Sequence, residues 1–552
     1  MKDRKQHDRR GGGRPPERRG HKDFSAHKPR SFQEFINPPH AEIADVLKAR
    51  TGEGFSITGV IEKVVQTGGP TVFYINDGSG LLALKAFEKA GVRAYAHVDV
   101  GDAVKVALTL SEYNGEMEGE VSTMHRLNED EQSGFEKRLR QRELERAHVD
   151  PPAFLVKSVL LDKLKARFVT AATAIRLAVF QNRPIIVRHH NDTDGYSAGY
   201  ALERAILPLV EQQHTGSPKA TWEFYTRAPC AAPMYEIDDS IRDTAHSLSN
   251  AAKFSNKMPL VLIVDTGSGA EDLLGIQQGR VHGIDFIVVD HHRFEKDVIS
   301  DETLVHINPF LVEEDGATFS AGMLCTELAR FINPSVDIVQ IPAMAGMADR
   351  INNPEVMKAY EKLAAEKGYD TQLLADIATV IDFVSAKLRF MEAREYIEVL
   401  FGEPMAQQKK LVSVLAPYIR ELEAKGLAIA QSAVQTETIK GVHVQTLEIE
   451  KTYSRGFYPK PGRCVSMIHD HFQVTKKTTK AVTLGVMSDA LTIRGSDDIE
   501  FSVPELITYL NKKLPEAFVE GGGHRNAGSI KFVPSKHAEV MKLVREYIKT
   551  NN

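Results

Sequence analysis

Cysteine is scarce: Cys230, Cys325 and Cys464 are the only three in a chain of 552 residues. They lie too far apart for a zinc ribbon or a CxxC redox pair, and so low a count suits a reducing compartment. Long apolar runs are also missing. The longest, PLVLIVD (259–265) and FIVVD (286–290), stop far short of the roughly 18–20 residues that cross a bilayer. The first thirty residues are almost all polar, with no apolar h-region. The expectation is therefore a cytoplasmic protein with no membrane partner. No internal repeat recurs. Gly at 39, Pro at 25, hydrophobic residues at 42% and charged residues at 26% are ordinary values, which excludes collagen-like and wholly disordered chains.

One core cannot serve this length, and at roughly 150 residues per domain three or four units are expected. The net charge of −5 hides an asymmetry. Residues 1–30 hold eleven basic and four acidic residues, a net +7, so the remainder carries −12. The tail, with RRGGGRPPERRG at 9–20, lacks the apolar residues that would offset its ordering entropy. Over 1–40 it reads as a disordered basic arm, either a solubilising extension or a nonspecific holder of phosphates.

From Gly54 short alternating runs are broken by glycine: FSITGVIEKV (55–64), TVFYINDGSG (71–80), LLALKAF (81–87) and DAVKVALTLSEYNGEMEGEV (102–121). Strands at this spacing predict a small all-β unit over 50–128 that resembles an OB-fold. Such barrels bind single-stranded nucleic acid through basic and aromatic strand faces, for which Phe73, Tyr74 and Lys85 are candidates. For any one of these aromatics, a place in the barrel core is the stronger reading. A charged helix and an amphipathic one fill a helical linker over 129–183. Strands then alternate with helical runs over 184–352, a mostly helical connector covers 353–427, and a mixed α/β segment covers 428–552.

Three apolar strands end in acid-rich clusters: Pro184–Val187 before RHHNDTDG (188–195), Leu260–Val264 before DTGSG (265–269), and Phe286–Val289 before DHHR (290–293). Near-continuous apolar strands mean a parallel sheet buried on both faces, with its site outside the carboxyl ends. A fourth cluster, AGMADR (345–350), adds Asp349. Alone, Asp192 or Asp194 serves equally as a helix N-cap, Asp265 as a turn residue, and His291 or His292 as a core histidine. Four clusters in order argue otherwise. Carboxylates gathered so closely repel unless cations lie among them. Mixed Asp and His ligands suit two divalent cations, Mn²⁺ first and Mg²⁺ next, with Zn²⁺ less favoured where no cysteine is at hand. Two such ions activate water and stabilise the leaving oxygen of a phosphoester.

HNDTDG (190–195), VDTG (264–267), VVDHH (288–292) and GMADR (346–350) resemble the four motifs of the DHH phosphoesterase superfamily. GGGHRNAGSIKF (521–532) resembles the signature of its associated substrate-binding domain. The size, the OB-like unit and the basic tail are most similar to the RecJ-like nucleases of archaea. The resemblance implies a multi-domain α/β architecture: the small barrel, a parallel-sheet DHH domain and a smaller mixed α/β domain forming a cleft. It implies metal ligation by Asp192, Asp194, Asp265, His291 and Asp349, with Asp265 bridging. His292 contacts the scissile phosphate, and Asp290 of the triplet is counted with Asp265 and His292 as catalytic. Many members carry a metal-binding histidine four residues before the first aspartate, where this chain has Arg188. His190 is the substitute, with His189 as runner-up.

Gly522 and Gly523, in a nest of N–H donors, together with His524, Arg525 and Arg494, are the implied substrate contacts. Lys460 is a weaker candidate. The implied activity is exonucleolytic hydrolysis of single-stranded DNA or RNA by a dimetal-activated water, with a role in DNA repair and partners among replication or repair proteins. Two alternatives stand beside it: hydrolysis of oligonucleotides or cyclic dinucleotides, and a replication-associated binding or scaffold protein.

Overall fold

The computed structural model describes residues 38–113, 115–214, 219–388, 393–454 and 456–552, without the side chain of His524. The basic arm expected over 1–40 lies outside the described residues apart from its last three positions.

The first unit is a closed barrel of β1 (Gly54–Gln66), β2 (Thr71–Asn76), β3 (Leu81–Ala86), β4 (Ala103–Tyr113) and β5 (Glu116–Arg126), in the order β1-β2-β3-β5-β4. Alternation in β2 sends Phe73 and Ile75 into the core with Ile57, Leu84 and Val106, and leaves Val72 and Tyr74 outside. Phe73 is completely buried, which corrects its place among the nucleic-acid-binding candidates: it faces inward and is the largest side chain filling the barrel. Lys85 does face outward. Its ammonium pairs with Glu118 and lies 3.9 Å from the centre of the Tyr113 ring.

The helices Glu129–Ala147 and Val159–Phe180 lead into a five-stranded parallel sheet. Its members are β6 (Ile185–His189), β7 (Tyr225–Pro229), β8 (Leu260–Val264), β9 (Asp285–Val289) and β10 (Val305–Ile307). The order is β10-β9-β8-β6-β7, so the chain departs in opposite directions from neighbouring β6 and β8. That junction is the topological switch point, where loops diverge and leave a crevice at the carboxyl ends. β8 is buried at every position, as a strand covered by helices on both faces must be.

Helices then connect to a six-stranded mixed sheet of β11 (Gln435–Ile439), β12 (Val442–Glu448), β13 (Ala481–Val486), β14 (Ala490–Gly495), β15 (Glu520–His524) and β16 (Ala527–Lys531), in the order β11-β12-β13-β14-β16-β15. It has its own core around Val444, Leu484, Ile493, Leu506 and Val544. This unit lies over the carboxyl edge of the parallel sheet. Lys460 Nζ donates to the Asn191 carbonyl at 2.9 Å, Arg350 pairs with Asp470 at 2.9 Å, and Lys531 pairs with Glu236 at 3.1 Å. The multi-domain α/β architecture read from the sequence is the one observed.

Candidate metal centre

β6 hands the chain to a loop whose side chains point in different directions. His189 is buried away from the crevice: its Nδ1–H donates to the His190 carbonyl at 2.7 Å, and its Nε2 accepts from Arg227 at 3.1 Å. Burial, with Arg227 adding to it, drives its pKa down to about 3, so it is a neutral packing residue. His190 faces the crevice instead, with Nδ1 2.8 Å from Asp192 and 3.6 Å from Asp265. Arg188 is committed elsewhere, paired with Asp243 behind β6.

Asp192 fills two roles. Its Oδ1 caps the helix Thr193–Gln213 by accepting from the Gly195 N–H at 3.0 Å, while Oδ2 faces His190. Gly195 is required by space, since a Cβ there would lie 2.2 Å from the His190 carbonyl oxygen. Asp194 reaches across to the start of the helix Ala321–Ile332 and accepts from the N–H groups of Ala321 and Gly322 at 2.9 and 3.0 Å. Those N–H groups and the helix dipole hold a negative charge in place.

Asp265 follows β8 in a left-handed conformation, φ +59°. Its buried Oδ2 has no hydrogen-bond partner among the described residues, and its Oδ1 is 3.4 Å from His291 Nε2. His291 is fixed by its Nδ1–H, which donates to the Gly316 carbonyl at 3.1 Å. Its Nε2 thereby points at Asp265, at Asp349 (3.6 Å) and at Asp194 (3.8 Å). A Cβ on Gly316 would lie 1.8 Å from the His291 carbonyl oxygen. Asp290 accepts from the N–H groups of His291 and His292 and from His292 Nδ1 at 2.8 Å, which sets the ring's tautomer.

Three groups of donors result, each with its atoms within 4.8 Å of one another: His190, Asp192 and Asp265; Asp194, His291 and Asp349; Asp265, His291 and His292. Asp265 belongs to two of them, one oxygen toward each side. The electrostatics match the geometry. Burial and the nearby Asp265 and Asp349 push Asp194 well above the carboxylate range, and burial holds Asp349 at about 6. Against the cost of burial, Asp192 raises His190 and Asp349 raises His291 well above the usual imidazole value. The surplus of buried carboxylate favours bound protons here. Divalent cations would displace them, and the unpartnered Asp265 oxygen is the kind of donor such an ion takes. The residues fit the group.

The substrate side is less uniform. Arg494 lies on β14 with Nε bonded to Ser466 at 2.9 Å, and Asp349 and Arg350 are near enough to act on its charge. Gly522 and Gly523 do not form a loop-like nest: they lie in β15, paired in register with Ser529 and Gly528. Gly521 and Gly523 take φ of +152° and +137°, and a Cβ on either would meet a carbonyl of β16 at 2.3 Å. The glycines permit a close hairpin at the end of the sheet. A Cβ on Gly522 would lie 3.2 Å from Glu271 Oε1. Arg525 bonds to Glu500 and to the Phe501 carbonyl within its own unit. The side chain of His524, expected at the substrate, lies outside what the structure describes.

Sequence reasoning missed the supports. Asp382 accepts from the Thr193 N–H and hydroxyl at 3.0 and 2.8 Å, beside Asp192. Ser268, Asn308 and His306 form a buried chain that ends on the His292 carbonyl. No local signal marks either, since each joins residues far apart in the chain.

A parallel α/β sheet with carboxylate and histidine donors gathered at its switch point is a site that could hold divalent cations, the arrangement of a metal-dependent phosphoesterase. The DHH family, N-terminal domain, matches residues 184–348. A protein of Methanocaldococcus jannaschii described as uncharacterized is 34% identical over 524 residues, covering 89% of this chain and 68% of its own length. A solved DHH-domain structure, described as a member of the S1p family of ribosomal proteins, is 35% identical with a TM-score of 0.73, covering 77% of this chain and all of that one. RecJ of Thermus thermophilus with Mn²⁺ is 18% identical with a TM-score of 0.48, covering 74% of this chain and 59% of that one. The chain belongs to the DHH family. None of its described helices is long and apolar enough to cross a membrane.

Proposed function

We propose that the protein is a RecJ-like exonuclease that hydrolyses single-stranded DNA or RNA. The observation that carries this reading is the pair of donor sets sharing Asp265, roofed by a second domain whose Arg494 is within electrostatic reach of Asp349. A barrel with an outward Tyr74 and Lys85 extends the track available to a strand.

Two divalent cations, Mn²⁺ or Mg²⁺, held by His190, Asp192 and Asp265 on one side and by Asp194, Asp265, His291 and Asp349 on the other, would supply Lewis acidity and lower the pKa of the attacking water. The chain's own residues do the rest. Asp265 fixes the spacing of the two sets. His292, held by Asp290 and raised above its usual pKa against burial by that carboxylate, donates to a phosphoryl oxygen as negative charge develops there. Arg494 holds the neighbouring phosphate or terminal nucleotide, and the roofing domain keeps the strand in register.

The test is the purified protein with Mn²⁺ on single-stranded DNA and RNA labelled at the 5′ or 3′ end. Stepwise shortening from one end is expected, and Asp265→Asn should abolish it. Intact strands, or equal cleavage by Asp265→Asn, would overturn the reading.

A further inference from the structure

The parallel sheet has a second edge, lined by polar and aromatic side chains. Pro184 and Ile185 open β6 at the end away from the metal centre, and five residues at about 3.3 Å each put some 16 Å between the two ends. There the barrel and the catalytic domain enclose two cavities of about 390 and 220 Å³ that share Lys63, Lys219, Glu223, Asn256 and Lys257 as walls.

Three features give this cleft a chemistry. The first is aromatic. Trp222 and Phe254 line it and remain 60% and 47% exposed. Arg394 covers one face of the indole at 4.1 Å while donating to the Thr221 carbonyl, so the ring is pinned with its other face open. The second is a pair of amides. Asn182 and Asn256 are 7% and 9% exposed and line the smaller cavity, and Asn182 Nδ2 and Asn256 Oδ1 have no hydrogen-bond partner among the described residues. One offers a donor and the other an acceptor, and such atoms are seldom left alone in a folded chain. The third is cationic in the larger cavity, where Lys63, Lys219 and Lys257 accompany Glu223 alone, whereas the smaller also holds Glu62, Glu116 and Glu118. Lys63 lies 5.7 Å from the ring centres of both Tyr74 and Phe254. Lys63 binds one carboxylate, Glu223, while Lys257 binds Glu62 and donates to the Gln181 carbonyl at 2.7 Å, so each ammonium keeps at least one of its three donors.

We propose that this cleft is a nucleotide-binding site distinct from the metal centre. A base stacks on Trp222 and Phe254, its polar edge pairs with the two free amide atoms, and its phosphate rests on the lysines. Every base has a π-face and carries hydrogen-bonding atoms at its edge. An apolar ligand would leave the amides unpaired, and an inorganic anion would leave the aromatic faces uncovered. The occupant is either a free nucleotide or one nucleotide of a strand whose scissile end lies elsewhere.

Trp222 is the chain's single tryptophan, so fluorescence of the full-length protein reports on the cleft directly. In EDTA, where no strand is cut, AMP, a single-stranded oligonucleotide and inorganic phosphate are titrated separately. Saturable quenching by AMP identifies a free-nucleotide site; quenching by the oligonucleotide alone identifies a strand-binding one. Asn256→Leu, and the exposed Phe254→Ala, should each weaken the response about tenfold, while Asp265→Asn leaves it unchanged. A failed nuclease assay thus leaves this result standing. Quenching by neither nucleotide form, quenching by phosphate alone, or equal quenching in both cleft variants would overturn the proposal.

Discussion

Asp265 combines a left-handed backbone with a buried, unpartnered carboxylate oxygen. A conformation of that kind costs about 1–3 kcal/mol and persists where the surroundings fix it. The surroundings include residues that touch no donor set. Asp382 holds Thr193 by two hydrogen bonds and so sets the backbone next to Asp192. Outer partners of metal ligands are typically worth 10–100-fold in affinity. Asp382→Ala should therefore weaken Mn²⁺ binding by about 10–100-fold with near-normal circular dichroism; unchanged affinity in calorimetry would deny Asp382 this role. The motif residues were legible because acid and histidine follow apolar strands at fixed offsets. Asp382 was not, because its partner is 189 residues away and an aspartate on a helix reads as a solvated face. The sequence left His189 and His190 as rivals, and only the direction of each side chain from β6 separates them.

Among elements, the apolar run 259–265 contains β8 and the run 286–290 covers all of β9 but its first residue, because central parallel strands are almost wholly apolar. β7 escaped notice: it is the edge strand, with Thr226 exposed and Arg227 in its middle. The three residues of β10 are too few to show a period. The helix Ala270–Val281, which follows the Asp265 loop, depends on Asp272, whose buried carboxylate accepts from the N–H groups of Gly269 and Tyr235 at 2.9 and 2.8 Å. Burial, with Glu271 adding to it, pushes this carboxyl up to about 8, against about 3.9 in the unfolded chain. The folded state binds the proton more tightly, so this group's contribution is fully present below about pH 4 and is lost as pH rises toward 8. Asp272→Asn should gain on the parent across that window by at most about 1.4 kcal/mol per pH unit. Denaturant midpoints of both proteins at several pH values check this, and a pH-independent difference would contradict it.

At the scale of the molecule, the number and class of the folded units were legible from period changes along the chain. Their docking was not. The barrel is fastened to the catalytic domain by Lys63–Glu223 and Lys257–Glu62, pairs between segments that carry no mutual signature. The net charge was misleading for a related reason: a cluster of aspartates that cations would balance counts as acidity. The basic tail can be tested apart from the folded units. Each phosphate contact to a single strand contributes about −0.7 to the slope of log K against log salt. Removing residues 1–37 should flatten that slope and lower affinity for long strands while leaving dinucleotide cleavage unchanged; an unaltered slope would make the tail a solubilising extension only.

β6 touches both edges of the sheet, with Pro184 and Ile185 in the walls of the cleft and His189 leading to His190 at the metal centre. Binding free energies at two sites on one molecule are coupled reciprocally. Whatever a ligand at the near end of β6 adds to cation affinity at the far end, the cation returns in equal measure to that ligand. β6 is the strand the two edges share, so any coupling between them is readable equally from either one.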